Sequence, residues 1–270
     1  MTITDSQLHR YARHVILDEV GEEGQEKLLA AKVLVVGAGG LGAPLLLYLA
    51  AAGVGTLGVI DDDTVELSNL QRQVIHATER LGEPKVESAK AALAAVNPEI
   101  KVEAIGERLT AANAAELVSR FDLVADGSDN FDTRYLVNDA CYLAKVPLVS
   151  AALLRFEGQL STFRAYEGAG EGKGGDRGPC YRCIFREAPP EGTVPRCEEA
   201  GIFGAVAGAV GSLQAAVVLK ELLGLGDTMS GRLLLYDALG TTFRVIKVKR
   251  DPGCPLCGDN PTITDLSVHG

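Results

Sequence analysis

A chain of 270 residues with 47% apolar and 23% charged side chains is too apolar to stay disordered and long enough for one large domain or two modest ones. Its formal charge of −10 excludes a nucleic-acid backbone as the main partner, because phosphate binding wants a basic face; only a local basic pocket fits. No basic-then-apolar leader opens the sequence, so the expected setting is cytoplasmic.

In chain order, Thr4-Asp5-Ser6-Gln7 has the capping-box pattern, with Leu8, Tyr11, Val15 and Ile16 at helical spacing behind it. Residues 32–36 read as a short buried strand, 40–52 as a helix closed by Gly53, and 56–60 as the next strand. Pro84 suits a first helical position and opens a helix to about residue 96, which Asn97-Pro98 ends. A strand at 100–105, a helix at 110–120, a strand at 121–125, a helix at 130–144 and a strand at 147–152 follow. This alternation predicts an α/β fold with a Rossmann-like, doubly wound, mainly parallel sheet.

The second half changes character. Apolar and polar residues alternate over 158–166 and 242–249, which predicts antiparallel strands continuing the sheet. Between them, 167–178 is rich in Gly and charge and 187–199 holds three prolines, so both read as loops. Residues 202–219 carry no charge for about the length of a bilayer crossing. Their Ala, Gly and Val content, and the spacing of Gly204, Gly208 and Gly211, favour a tightly packed helix in the core or at a dimer seam instead. The tail after Gly258 is expected to fray, and there is no internal repeat.

The chemistry concentrates after the first strand. Gly37-Ala38-Gly39-Gly40-Leu41-Gly42 has the spacing of a phosphate-binding turn, in which free N–H groups and the helix dipole meet an anion. Asp61, closing the next strand, is placed for nucleotide ribose hydroxyls, while Asp62 and Asp63 face solvent or shape the turn. Alone, these features suit NAD or FAD as well as ATP. Ser68-Asn69-Leu70-Gln71-Arg72 and Lys85 add an amide and two cations that a redox cofactor does not need. Cations converging on phosphates suit chemistry at a phosphoanhydride, where charge builds in the transition state.

Asp126-Gly127-Ser128-Asp129-Asn130 follows the 121–125 strand, where ligands bind in parallel sheets. Asp129 is a magnesium ligand or a helix N-cap; Asp126 or Asn130 can take the capping role instead. Cys180-x-x-Cys183 and Cys254-x-x-Cys257 have the spacing of two knuckles of one structural zinc site, stapling distant segments. Of the other two cysteines, Cys141 reads as a small core residue. Cys197, beside Arg196, is either a nucleophile or an exposed thiol. Arg10, Arg13 and His14 share one helical face, which is a solvated face unless a symmetric partner brings Arg13 to a phosphate.

Together, Arg10-Tyr11-Ala12-Arg13, the glycine loop, Asp61, residues 68–73, Pro84-Lys85, Ser128-Asp129-Asn130 and both cysteine pairs resemble the MoeB/ThiF/HesA family, bacterial relatives of ubiquitin-activating enzymes. The resemblance spans roughly Leu8 to Gly258. It implies adenylation of the C-terminal Gly-Gly carboxylate of a small ubiquitin-like sulfur carrier protein, with ATP and Mg2+, releasing pyrophosphate ahead of thiocarboxylate formation. By position, Gly37, Gly39, Gly40, Gly42 and Asp61 would form the ATP site with Ser68, Asn69, Leu70 and Gln71. Arg72 and Lys85, with Asn69, would address phosphates, Asp129 would coordinate magnesium, and Asn130 would belong to the cofactor site. Arg13 would reach in from the other subunit of a homodimer, and Cys197 matches a position where some relatives carry a reactive cysteine. Cys180, Cys183, Cys254 and Cys257 would hold Zn2+. No rhodanese-like segment follows, so the sulfur donor would be a separate protein.

The implied organisation is a single adenylyltransferase domain over 1–270. It comprises N-terminal helices (1–31), a nucleotide-binding half (32–153), a carrier-binding half with the zinc knuckles (154–258) and a flexible tail (259–270). The rival readings are a nicotinamide-dependent oxidoreductase on the same fold and a non-catalytic nucleotide-binding protein. Neither membrane nor direct nucleic-acid contact is expected.

Overall fold

Strands buried on both faces need apolar residues at every position, and 33–36, 57–60 and 123–125 supply them. In the computed structural model, which describes residues 3–167, 177–190, 193 and 200–270, these become β1 (Lys32–Val36), β2 (Thr56–Ile60) and β4 (Leu123–Asp126). With β3 (Lys101–Ile105), β5 (Leu148–Leu154), β6 (Glu157–Phe163), β7 (Arg232–Asp237) and β8 (Thr242–Lys247) they form one sheet, ordered β3-β2-β1-β4-β5-β6-β7-β8. The first five strands pair in parallel and the last three join antiparallel. The expected α/β class is thus the observed one. β7 was not anticipated, because Leu233-Leu234-Leu235 runs without alternation.

Three short or medium helices precede the sheet: α1 (Asp5–Arg10), α2 (Ala12–Val15) and α3 (Gly21–Ala30). The capping box of Thr4 and Gln7 is formed as the sequence predicts. Val33 and Val35 of β1 face a core shared with α4 (Gly42–Ala51), α5 (Lys85–Val96) and residues of a long later helix. Leu34 and Val36, one residue out of phase, face the opposite core with α6 (Ala114–Val118) and α7 (Phe131–Ala144). α6 is shorter than 110–120 because the Asn113 side chain accepts the Thr110 N–H (2.8 Å) and donates to the Arg108 carbonyl (3.0 Å), holding that stretch as a turn.

After α8 (Tyr181–Ile184) comes the apolar helix α9 (Gly204–Leu223), long and apolar enough to cross a membrane by length and composition. It packs against the sheet and α4 instead. A Cβ on Gly211 would lie 2.4 Å from the Leu41 carbonyl oxygen, so only glycine permits the approach. Gly208 faces open space, and its carbonyl accepts the Ser212 hydroxyl at 2.7 Å.

The expectation of a frayed tail is wrong. Ile263 and Leu266 are buried, and His269 Nε2 lies 2.8 Å from Asp139 Oδ2. Asp139 on α7 is fully buried and also receives a two-pronged contact from Arg182 of α8, at 2.7–3.1 Å. The tail therefore closes over a charged anchor that the sequence order does not reveal.

Arg182→Ala should destabilise the fold by about 3 kcal/mol, because it leaves the buried Asp139 carboxylate short of its main counter-charge. Urea unfolding measures this, and an unchanged midpoint would remove the anchor from the account.

Candidate functional site

The strand order reverses between β1 and β4: β1 leads on one side to β2 and β3, and β4 leads on the other to β5. Such a switch point opens a crevice at the carboxyl ends of the strands. A cavity of about 250 Å³ lies there, lined by the glycine loop, Asp61, Arg72, Gln73, Lys85, Arg108 and the 127–130 turn.

The loop after β1 needs glycine at two points. Gly37 has φ +93°, and a Cβ on Gly42 would sit 1.9 Å from the Gly37 carbonyl oxygen. Asp61 Oδ2 accepts the Ala38 N–H at 2.8 Å and Oδ1 accepts the Asp63 N–H at 2.9 Å. Burial pushes the Asp61 carboxyl above its ordinary value, against the opposing pull of Lys85 and the two N–H donors. His76, which sequence reasoning missed, braces the loop from behind. Its Nε2 lies 3.0 Å from the Ala38 carbonyl and its Nδ1 2.9 Å from Ser88 Oγ. Burial lowers its pKa, so the neutral ring donates from Nε2 and accepts the Ser88 hydroxyl at Nδ1.

The 68–73 run divides in two. Asn69 Oδ1 accepts the Glu66 N–H at 3.2 Å, closing a capped turn, and the Ser68 hydroxyl lies 3.3 Å from Glu66 Oε2. Ser68, Asn69, Leu70 and Gln71 lie outside the cavity lining, whereas Arg72 and Gln73 belong to it. The turn aims Arg72, whose Nη1 donates to the Ser68 carbonyl at 3.1 Å. Gln73 is buried, and its Oε1 has no hydrogen-bond partner among the described residues. Lys85 opens α5 just after Pro84; its buried side chain places Nζ 2.6 Å from Oδ2 of the exposed Asp63. Asp63, expected to face solvent, does so while holding this ion pair.

On the β4 side, Asn130 caps α7, its Oδ1 accepting the Thr133 N–H at 2.9 Å. That leaves the exposed Asp129 carboxylate free of capping, in the cavity lining. Magnesium takes one or two carboxylates and completes its shell with water and phosphate oxygens, so Asp129 fits that ion. Asp126 is fully buried at the end of β4. Its Oδ1 accepts the Ser128 N–H and its Oδ2 the Ser150 hydroxyl, both at 2.9 Å. Burial raises its pKa despite the nearby Arg134 guanidinium.

The four paired cysteines converge. Cys180 Sγ lies 3.5 Å from Cys254 Sγ and 3.9 Å from Cys183 Sγ, and Cys183 Sγ lies 3.3 Å from Cys257 Sγ. Metal–sulfur bonds of about 2.3 Å in a tetrahedron give sulfur separations of about 3.8 Å, so the cluster fits one closed metal site. Hydrogen bonding among the thiols splits their protonation, holding Cys254 well below the ordinary value and pushing Cys180 well above it. Cys141 is buried in the α7 core as expected. Arg13 is exposed on α2 and is not part of its own chain's cavity lining. Cys197 and Arg196 lie outside the described residues, as does most of the 167–178 and 187–199 loops.

The family model for the ThiF family matches residues 11–256. The chain belongs to the ThiF family. It is 54% identical to the sulfur carrier protein adenylyltransferase of Thermus thermophilus, over 98% of this chain and 96% of that one. It is 49% identical to the SAMP-activating enzyme E1 of Haloferax volcanii, over 96% and 92%. The bovine adenylyltransferase and sulfurtransferase MOCS3 is 52% identical over 99% of this chain, which spans 57% of that longer protein. Among solved structures, E. coli MccB with MccA-N7isoASN superposes with a TM-score of 0.78 at 25% identity, over 93% of this chain and 75% of that one.

The raised pKa of Asp126 has a stability consequence. A carboxyl whose folded pKa exceeds its unfolded value stabilises the fold while protonated, and that contribution is lost as pH rises through the folded pKa. Asp126→Asn lacks the penalty. Its stability relative to wild type should therefore increase as pH rises above the ordinary carboxylate range, measured by urea unfolding at each pH. A constant difference would show that the carboxyl is not destabilised by burial.

Proposed function

We propose that this chain is an ATP-dependent adenylyltransferase that activates the C-terminal Gly-Gly carboxylate of a small ubiquitin-like sulfur carrier protein. The supporting observation is that Arg72, Lys85 and Asp129 line one cavity above the glycine loop. The glycine loop and Asp61 alone would serve a dinucleotide equally well. Two cations and a carboxylate around the same crevice favour phosphoanhydride chemistry over hydride transfer. The names of the full-length relatives support the same class and the same kind of substrate.

The carrier carboxylate attacks the α-phosphorus of ATP in line. A bond forms between its oxygen and phosphorus as the bridging bond to the β-phosphate breaks and pyrophosphate leaves. No general base is needed, since the carboxylate is already ionised at neutral pH. The work of the protein is positioning and charge neutralisation. Asp61 holds the ribose end, while Arg72 and Lys85 take up charge on the phosphates. Lys85 leaves its Asp63 partner, an exposed and therefore weak competitor, when phosphate arrives. Magnesium, held through Asp129, would neutralise phosphate charge. Asn69 contributes through the turn that aims Arg72, and Ser68, Leu70 and Gln71 build that turn.

Further parts of the reading are a two-fold homodimer in which Arg13 completes the partner's ATP site, one structural zinc at Cys180, Cys183, Cys254 and Cys257, and a separate sulfur donor protein. An exposed arginine outside its own chain's cavity lining supports the first, and the sulfur geometry supports the second.

Arg72→Ala and Lys85→Ala should each abolish carrier-dependent ATP–pyrophosphate exchange in a folded protein. Near-normal exchange in either would sink the phosphate assignment. Metal analysis should find about one zinc per chain, as a four-thiolate site requires, with loss of stability when Cys257 is replaced. Mixing inactive Arg13→Ala with inactive Asp129→Ala should restore about a quarter of wild-type exchange by random assortment into symmetric pairs. No recovery despite proven subunit exchange would place Arg13 outside the site.

A further inference from the structure

Ser128 is gripped at both ends by buried charged groups. Its N–H donates to Asp126 Oδ1 at 2.9 Å, and its carbonyl accepts from Arg134 Nη2 at 3.0 Å. Asp126 is in turn pinned by the Ser150 hydroxyl of β5 at 2.9 Å, and its own carbonyl accepts Gln214 Nε2 of α9 at 2.8 Å. Arg134, one turn into α7, is 7% exposed and stacks its guanidinium 5.3 Å from the Phe131 ring centroid. The peptide that Arg134 holds is the one joining Ser128 to Asp129.

α7 already has its cap in Asn130, and buried charges are often replaceable by apolar residues without loss of stability. What the two charges do fix is the backbone from which Asp129 projects into the cavity. We propose that Asp126 and Arg134 are positioning residues that clamp Ser128, so that Asp129 is aimed at a divalent cation bound to nucleotide phosphates. This inference rests on the adenylyltransferase reading above. It adds two buried residues that lie outside the cavity lining and act on metal-assisted binding through Asp129.

The test is calorimetric binding of the non-hydrolysable analogue α,β-methylene-ATP to the whole protein, with Mg2+ and with EDTA, so that no turnover is involved. In wild type, Mg2+ should tighten binding, and Asp129→Asn should remove that gain. Arg134→Gln should lose about tenfold of the Mg2+-dependent gain, the scale for outer groups that orient a metal ligand, while its affinity in EDTA stays near wild type. Arg134→Lys, which keeps a donor and the charge, should recover part of it. Ser150→Ala removes only one bond to Asp126 and is the milder variant should Arg134→Gln not fold; its expected loss is smaller than that of Arg134→Gln.

A folded Arg134→Gln or Ser150→Ala with the full Mg2+ gain would overturn the clamp. So would equal weakening with and without Mg2+, which marks general distortion, or an Asp129→Asn protein that keeps the gain. Wild type that shows the Mg2+ gain and the variant pattern, but no carrier-dependent pyrophosphate exchange, would support the clamp and overturn the adenylyltransferase reading separately.

Discussion

The site depends on the close approach of Gly42 to the Gly37 carbonyl, at a separation where no side chain fits. That approach folds the chain back on itself directly after β1, so that α4 starts over the crevice where the strand order reverses. Asp61 holds the turned loop by its Ala38 N–H and His76 holds it by the Ala38 carbonyl. One residue of the loop is thereby held through both of the peptide groups that flank it. A phosphate-binding turn held this way loses little freedom when a ligand arrives, which is where preorganisation gains affinity.

The same device recurs across the cavity. Ser128 is held by its N–H and its carbonyl, here by Asp126 and Arg134. The two walls are therefore built alike, with buried polar side chains fixing short loops at strand ends. Burial of Asp126 works against stability, as the upward shift of its carboxyl indicates. Sites that hold strained or desolvated groups commonly trade stability for geometry in this way.

α7 connects this site to the rest of the molecule. Its N-cap Asn130 lines the cavity, its first turn carries the buried Arg134, and its middle carries Asn138 and Asp139. Asn138 accepts the Tyr181 N–H at 2.8 Å, and Asp139 binds Arg182, so both residues between Cys180 and Cys183 are tied to the helix. The cysteine cluster joins segments 74 residues apart in sequence, and the tail that follows returns to Asp139 through His269. One helix thus links the turn that carries the proposed magnesium ligand to the thiol staple.

Local signals were legible in the sequence: apolar runs gave β1, β2 and β4, glycine spacing gave the loop, and Cys-x-x-Cys pairs gave a metal cluster. Each is a chemical requirement that a residue meets within its own few neighbours. What escaped was set by partners distant in sequence. His76 looks ordinary until Ala38 and Ser88 flank it, Asn69 turns out to build a turn beside the cavity, and β7 is a strand because β6 and β8 pair with it. The tail looked unstructured because one of its anchors, Asp139, lies 130 residues earlier. The sequence alone determined which groups could do chemistry. Only the tertiary structure decided which of them share a cavity, because long-range packing sets those distances and local propensity does not.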